Sequence, residues 1–275
     1  MTAIPPAWAH LQPASLKALL EPPGRVPQAL RLTPYNVPVE AALQVPMVIA
    51  ARLLLELAVE KGGLVLTSAG ALKRVDVRHV FDRTEWPGYD RADTLAVIKV
   101  INEHDAYGVL FTRIALQAAG LLRKRLGVLK ASKAGKALLA PEAAPALLAE
   151  LFEATFWKVN LQDFDRNPID FWPQHHMGVI LWSLSVAAHP WSKADDLMSA
   201  CTIMETLDEV PDNDLPAFAM MSRVLRPLTW LGVLASRKQM RRSGWGLDEE
   251  FRKASLFDQL VEFEVKMKGA EGAWH

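Results

Sequence analysis

The chain has 275 residues, 51% of them hydrophobic, and carries 31 Lys and Arg against 31 Asp and Glu. A chain of this length and composition buries a sizeable core, which excludes wholesale disorder. Its zero formal charge argues against a broadly cationic nucleic-acid binder, although a local basic patch remains compatible with it. The single cysteine, Cys201, excludes a disulfide framework and a cysteine-based zinc finger.

The first 46 residues form a proline-rich segment that holds half of the 18 prolines. Because proline removes a backbone donor and restricts the residue before it, we expect sparse regular structure here, as an extended arm over the first domain. The exception is one short helix carrying Leu16, Leu19 and Leu20.

Neither a leader nor a membrane span is predicted. The sequence starts without a basic segment followed by an apolar one, and the apolar run at 45–59 is interrupted by Arg52 and Glu56. The cytoplasm is therefore the expected compartment.

Residues 48–140 predict a helix, a short strand, three further helices, a hairpin and a last helix. The clearest helix places apolar side chains on one face: Tyr107, Leu110, Phe111, Ile114 and Ala118. After Gly120, two short strands at 121–125 and 128–132 flank Leu126-Gly127, a turn typical of a hairpin. This order is that of the winged-helix form of the helix-turn-helix, in which the third helix is the potential reader and the hairpin is the wing.

A second, divergent copy of the pattern follows residue 140. The alignment pairs Gly232-Val233-Leu234 with Gly120-Leu121-Leu122, Phe251-Arg252 with Leu129-Lys130, and Leu260-Val261 with Leu138-Leu139. In it the second hairpin is longer by ten residues. We therefore predict a mainly α protein with small β hairpins, built as tandem winged-helix-like domains at 47–140 and 141–275 after the proline-rich arm at 1–46.

Three segments carry a family resemblance: LVLTSAGAL at 64–72, AAGLLRKRLGVLKASKAGKALL at 118–139 and LFEATFWKVNLQDFD at 151–165. They resemble an uncharacterised bacterial family of winged-helix-like proteins. Its members carry an LxLTxxGxL segment followed by helix–hairpin units and are sometimes fused to plasmid-encoded domains. Ala71 stands where the family pattern has a polar residue. The resemblance implies a fold and little about activity.

The leading hypothesis is a non-enzymatic DNA-binding protein, with transcriptional regulation or an accessory role in mobile DNA as candidate roles. The first wing would neutralise phosphates through six cations within 14 residues: Arg123, Lys124, Arg125, Lys130, Lys133 and Lys136. The longer second wing would add Arg237, Lys238, Arg241 and Arg242. On the polar sides of the reader helices, limited base contact is predicted for Arg113, Gln117, Arg223 and Arg226.

The sequence is also compatible with two alternatives. The basic residues could form a solvated face balanced by acids elsewhere. The other alternative is a protein-interaction scaffold without DNA contact. Val109 and Leu116 fall on the predicted outer face of the first reader helix, where aliphatic side chains suit a protein partner or a homodimer better than a polar groove.

Other site chemistries find weaker support. His175-His176 are adjacent and therefore point about 100° apart on a helix, which is poor geometry for one metal ion. Cys201 lies on an apolar stripe, where a thiol is inert. No nucleophile elbow or phosphate-binding glycine motif occurs, and Gly244-Trp245-Gly246 is better explained as a flexible turn. We predict no enzyme activity, no metal and no cofactor.

Eight aromatic residues have two interpretations: they could line a ligand pocket between the domains, or form the buried core that aromatic side chains at this density favour. They are Phe152, Phe156, Trp157, Phe164, Phe171, Trp172, Trp182 and Trp191.

Overall fold

The structure is a computed structural model that describes residues 6–20, 25–204, 214–240 and 247–269. Over these residues the chain is mainly helical with three small antiparallel sheets, which confirms the predicted combination of α-helices and small β elements. Two compact units are present. A terminal unit comprises 1–33, 160–229 and 233–275, and a central unit comprises 34–159 and 230–232. The predicted domain boundaries at 46 and 140 both lie within the central unit.

The elements of the described chain are short, since its α-helices have five to 15 residues and its strands two to seven. The α-helices are α1 (Pro13–Leu19), α2 (Val39–Leu43), α3 (Pro46–Glu60), α4 (Arg74–Phe81), α5 (Arg91–Val97), α6 (Tyr107–Ala118), α7 (Lys133–Ala137), α8 (Ala144–Glu153), α9 (Met177–Ala187), α10 (Ala194–Cys201), α11 (Asp214–Met220), α12 (Arg226–Trp230) and α13 (Ser255–Leu260). The strands are β1 (Leu30–Leu32), β2 (Leu64–Val65), β3 (Leu122–Arg125), β4 (Val128–Ala131), β5 (Ser192–Lys193), β6 (Leu234–Met240), β7 (Leu247–Lys253) and β8 (Val261–Phe263).

The core of the central unit forms around α3. Pro46 occupies its first turn, where the missing N–H would have had no partner within the helix. Val48, Leu54 and Leu55 are fully buried, and α3 packs against α4, α6 and α8. Gly62 ends the helix with a φ of 65°, a left-handed conformation that glycine adopts without strain.

The terminal unit joins the start of the chain to its end. Strand β1 pairs antiparallel with β8, so that Leu30 lies opposite Phe263. Helix α1 packs on helix α9, which is buried from Met177 to Leu184. Gly178 allows the carbonyl oxygen of Leu19 to approach, and a Cβ there would lie 2.4 Å from that oxygen. The short helix predicted at Leu16–Leu20 is therefore present. The proline-rich segment also holds more structure than its composition predicts, because β1 finds its partner more than 200 residues away.

Two stretches of the chain share one order of elements. The central module (α3, β2, α4, α5, α6, β3, β4, α7) and the C-terminal module (α9, β5, α10, α11, α12, β6, β7, α13) each run from a helix and a two-residue strand to a hairpin and a last helix. Their sheets have equivalent strand orders, β2-β4-β3 and β5-β7-β6.

The strand registers agree with the sequence alignment of the two modules. Leu129 pairs with the short strand β2 at Leu64, and Phe251 pairs with β5 at Ser192. The pairs Leu122–Ala131 and Leu234–Lys253 close the two hairpins, whose lengths differ by ten residues.

The junction between helix and hairpin is also the same in both modules. Gly120 and Gly232 both have a φ of 72°. The N–H of Leu121 donates to the carbonyl of Leu116 at 2.9 Å, and that of Val233 donates to Leu228 at 3.1 Å. Both junctions thus use the left-handed cap that satisfies the last helical carbonyls.

Candidate nucleic-acid interface

The hairpin of the central module, residues 122–131, has the tightest turn that antiparallel strands accept. Leu126 and Gly127 connect β3 to β4 with φ values of 49° and 73°. Positive φ at both central residues defines the turn whose twist matches that of the flanking strands. The carbonyl of Gly127 also accepts the N–H of Leu66 at 2.8 Å, which anchors the tip to the segment after β2.

The alternation of side chains divides this hairpin into an apolar face and a basic face. Leu122 and Leu129 are buried on one side of the sheet, where the exposed Lys124 lies opposite Leu129 next to the turn. On the other side, Arg123 lies directly opposite Lys130, and Arg125 is next along the strand on the same side. Like charges directly opposite each other destabilise an antiparallel pair, so the stability of the sheet does not explain this arrangement.

All six cations predicted for the first wing are exposed: Arg123, Lys124, Arg125, Lys130, Lys133 and Lys136. None of them forms an ion pair with a carboxylate in the part of the chain that the structure describes. We call this group the basic hairpin cluster. A concentration of unpaired positive charge on a neutral protein creates a local potential that attracts anions.

Helix α6, the predicted first reader, has no exposed residue. The guanidinium of Arg113 pairs with the buried carboxylate of Glu103 and also donates to the side chain of Gln117 at 2.6 Å. Glu103 in turn accepts the N–H of Leu72 at 3.0 Å. Arg113 and Gln117 are thus engaged within the molecule, and their predicted contact with base edges finds no support.

The prediction of an exposed aliphatic surface on α6 is wrong. Val109 and Leu116 are completely buried, whereas Leu110 and Ile114, on the face predicted to be buried, are partly accessible. The phase of the helix was assigned wrongly because apolar residues occur on nearly all its sides. The partner or homodimer contact predicted through Val109 and Leu116 is withdrawn with it.

Aromatic rings help to cover α6 within the central unit. Gly108 lies against the ring of Trp86, where a Cβ would come within 2.4 Å of ring atoms. The ring of Trp230 packs edge-on against Phe111, with 5.2 Å between centroids. The π-helical segment 154–158 also contacts α6. A helix covered on these sides cannot enter the major groove without partial unfolding of the unit.

The reader residues predicted in the C-terminal module are also corrected. Arg223 is buried, with its guanidinium bound to both oxygens of Asp165 at 2.8 and 3.0 Å. It also donates to the carbonyls of Asn167, Ile169 and Trp172.

Arg226 is largely buried and lies 3.7 Å from Glu249. The predicted polar face is wrong because residues 221–225 form a π-helix, whose wider turn rotates the residues that follow relative to a regular α-helix. The expected stripe is broken accordingly, since Phe218 is exposed.

In the second hairpin, acids lie across the ladder from Arg237 and Lys238, the two described cations that were predicted to contact DNA. Arg237 pairs with Glu250 at 2.7 Å, and the exposed Lys238 lies across the ladder from Glu249. Arg241 and Arg242 lie outside the described residues, as does the turn at 244–246. The guanidinium of Arg237 is therefore less available to phosphates than the cations of the basic hairpin cluster.

One feature of the second hairpin was missed in the sequence. The guanidinium groups of Arg237 and Arg252 lie 4.5 and 4.7 Å from the ring centroid of Trp191. Arg252 occupies the position that aligns with Lys130, so the alignment itself contained the signal that this face would be basic.

Most of the remaining candidates are buried in the core. Cys201 is buried, and burial raises the pKa of its thiol to about 12, which keeps it protonated and unreactive. Five of the eight aromatic residues are buried: Phe152, Phe156, Trp157, Trp172 and Trp182. Phe171 is exposed and stacks on His175, with 4.8 Å between ring centroids.

Two further observations concern metals and membranes. Among the described residues, no group of three or more His, Cys, Asp or Glu side chains is arranged to hold a metal ion. Within the same ranges, none of the helices has the length and apolar content needed to cross a membrane.

Comparison with known proteins agrees with the resemblance seen in the sequence. Residues 43–145, which contain the basic hairpin cluster, match the family described as the Y4jL N-terminal domain. The chain is also similar to a Sinorhizobium fredii (strain NBRC 101917 / NGR234) protein named uncharacterized protein y4jL. The two are 29% identical over 164 residues, which are 59% of this chain and 72% of that protein. No solved structure gives a significant match. Both matches support similarity to an uncharacterised bacterial family.

Proposed function

We propose that this protein is a non-enzymatic DNA-binding protein that grips the phosphate backbone of duplex DNA with the hairpin of its central module. The observation that carries the proposal is the basic hairpin cluster, six exposed cations without a described acidic partner. Its opposed pair, Arg123 and Lys130, lowers the stability of the sheet, which is expected where charge serves binding.

The order of elements supports a winged-helix-like interpretation of both modules. A helix, a short strand, further helices and a hairpin, with the short strand paired to the second strand of the hairpin, is the arrangement of that fold, and the hairpin is its wing. In this interpretation the basic hairpin cluster is the wing of the first domain. The two modules would be tandem winged-helix-like domains.

The proposed mechanism is counterion release rather than base readout. Each phosphate that a hairpin cation neutralises releases condensed counterions, so affinity falls steeply with salt. Arg113 and Arg223 are held in ion pairs within the protein, which leaves little side-chain chemistry for reading bases in the major groove. We therefore expect binding with little preference for sequence through the described residues.

A salt titration tests the proposal. Binding of the purified protein to random-sequence duplex DNA should give a log–log plot of affinity against salt with a clear negative slope. The double variant Arg123→Glu with Lys130→Glu should reduce the magnitude of that slope by about 2, because each lost phosphate contact removes about 1.

The matched control reverses two exposed lysines outside the hairpin, as Lys17→Glu with Lys99→Glu. It makes the same change of net charge and should retain most of the slope. Thermal unfolding of both variants establishes that each is folded. Equal slopes for wild type and the hairpin variant would contradict the proposal.

The interaction scaffold without DNA contact has lost one of its two supports, since Val109 and Leu116 are buried, and now rests on the zero formal charge of the chain. Failure of the wild-type protein to bind duplex DNA at the lowest salt would bring that alternative back.

A further inference from the structure

The tip of the central hairpin carries a residue that the turn does not favour. Leu126 has a φ of 49°, in the left-handed region where the Cβ of an L-residue crowds the following carbonyl oxygen. Two-residue hairpin turns of this type strongly prefer Asn-Gly or Asp-Gly because those residues tolerate positive φ. Gly127 follows that rule and Leu126 does not.

Packing does not offset this strain. The side chain of Leu126 is 94% exposed, the highest value among the exposed large hydrophobic residues of the described chain. A leucine that is both strained and fully solvated contributes nothing to the core. Local strain that the fold does not need is a feature of sites where a side chain contacts something else.

The surroundings of Leu126 indicate the chemistry of what it contacts. Lys124 and Arg125 precede it on β3, and Lys130 lies beyond it on β4, all exposed and without a described acidic partner. An apolar point surrounded by cations complements a ligand with a recessed apolar surface between rows of negative charge. Duplex DNA has this character, because stacked bases lie between two phosphate backbones.

The dimensions of the hairpin restrict how it can enter DNA. The backbones of paired strands alone lie about 4.8 Å apart, and their side chains make the hairpin wider than the minor groove, which is about 6 Å wide. The body of the hairpin therefore cannot enter, but its two-residue tip can, and Gly127 keeps that tip narrow because it has no side chain.

We propose that Leu126 is an apolar wedge that enters the minor groove of duplex DNA and partly unstacks a base-pair step, while the basic hairpin cluster holds the flanking phosphates. This rests on the proposed function and names the contact that the hairpin makes. Leucine is among the side chains that proteins insert in this way, and pyrimidine–purine steps such as TA are the easiest to open.

The variant Leu126→Asn separates this role from a structural one, because it moves stability and binding in opposite directions. Asparagine relieves the strain at positive φ, so the unfolding midpoint should rise. Affinity for TA-containing duplex DNA should fall roughly tenfold, because the apolar contact is lost. The salt slope should not change, because no charge is removed.

A fluorescent base analogue reports the unstacking directly. Wild-type protein should raise the fluorescence of 2-aminopurine placed at a TA step, and Leu126→Asn should not. The variant Leu126→Met keeps an apolar side chain of similar size and should retain the signal. The matched control Val97→Asn removes an apolar side chain that is 84% exposed on α5 and should leave both signal and affinity unchanged.

The outcomes separate the wedge from the function on which it rests. If reversal of Arg123 and Lys130 weakens binding but Leu126→Asn binds and brightens 2-aminopurine like wild type, the wedge is overturned and the DNA-binding proposal stands. If the wild-type protein does not bind duplex DNA, or the hairpin charges do not matter, the proposed function fails and the wedge fails with it.

Discussion

The two hairpin modules share one backbone plan and differ in the charges placed on it. At aligned positions, Arg125 lies opposite Val128, whereas Arg237 lies opposite Glu250 and pairs with it at 2.7 Å. The aligned arginine is therefore available to an anion from another molecule in the central module, and is neutralised by Glu250 in the C-terminal module. The shared backbone plan therefore does not determine whether a hairpin binds an anion. The residue across the ladder decides whether the hairpin arginine is available.

The modules also differ in how deeply they bury an arginine. Arg113 of the central module is 11% exposed in its pair with Glu103, whereas Arg223 of the C-terminal module is 1% exposed in its pair with Asp165. Arg223 additionally holds three carbonyls of the 167–172 segment. The C-terminal module thus uses its arginine as an internal support for a loop.

The largest predicted effect follows from this difference. Arg223→Ala should lower the free energy of unfolding by about 3–5 kcal/mol, because it leaves a buried carboxylate and three backbone carbonyls without their shared partner. Arg113→Ala should lower it by about 2–3 kcal/mol, since a more accessible pair with fewer hydrogen bonds is lost. Urea unfolding followed by circular dichroism measures both.

The surface variant Lys17→Ala is the control and should change stability by less than about 0.5 kcal/mol. An Arg223→Ala variant no less stable than Arg113→Ala would show that the two ion pairs are equivalent and would remove this contrast between the modules.

A smaller effect concerns DNA and compares the two aligned arginines directly. Arg125→Ala should weaken binding to duplex DNA about tenfold at 0.1 M salt and reduce the salt slope by about 1. Arg237→Ala should change binding much less, because Glu250 already neutralises that guanidinium. Fluorescence anisotropy over a range of salt concentrations measures both slopes.

Glu250→Gln sharpens the same contrast by removing the neutralising charge while keeping the side-chain shape. It should strengthen DNA binding and steepen the slope. Equal losses for Arg125→Ala and Arg237→Ala would refute the idea that cross-strand acids decide which hairpin binds.

Local sequence chemistry predicted the hairpins well and the faces of the helices poorly. The turn at Leu126-Gly127 and the helix end at Gly120 depend on residues within a few positions of each other, so the sequence displays them. The sequence does not reveal which face of α6 is buried, because Val109 and Leu110 are both apolar and either rotation of the helix satisfies the pattern. Only packing against other elements decides between them.

The internal ion pairs were invisible for a different reason. Asp165 lies 58 residues before Arg223, and nothing near either residue indicates a buried partner. An arginine on the polar side of a predicted helix is most simply assigned to solvent or to a ligand. The π-helix at 221–225 also changes the directions in which the following side chains point, and no local residue pattern predicts that π-helix.

The smallest predicted effect tests how far the equivalence of the modules extends. The helices that follow the hairpins, α7 and α13, begin after Ser132 and Ala254, which align with each other and both have extended backbones. The Ser132 hydroxyl accepts the N–H of Gly135 at 3.0 Å, so Ser132→Ala should lower the free energy of unfolding by about 1 kcal/mol.

The reciprocal change, Ala254→Ser, should raise the free energy of unfolding by only about 0.5 kcal/mol. The aligned N–H, that of Phe257, already donates to the carbonyl of Ala254 at 3.0 Å, so a new hydroxyl competes for a donor that has a partner. Both variants are measured by urea unfolding, with Ser132→Thr as a control that keeps the cap. A gain from Ala254→Ser equal to the loss from Ser132→Ala would show that the two helix starts are interchangeable. No gain at all would limit the equivalence of the modules to their strands, their registers and the glycine that precedes each hairpin.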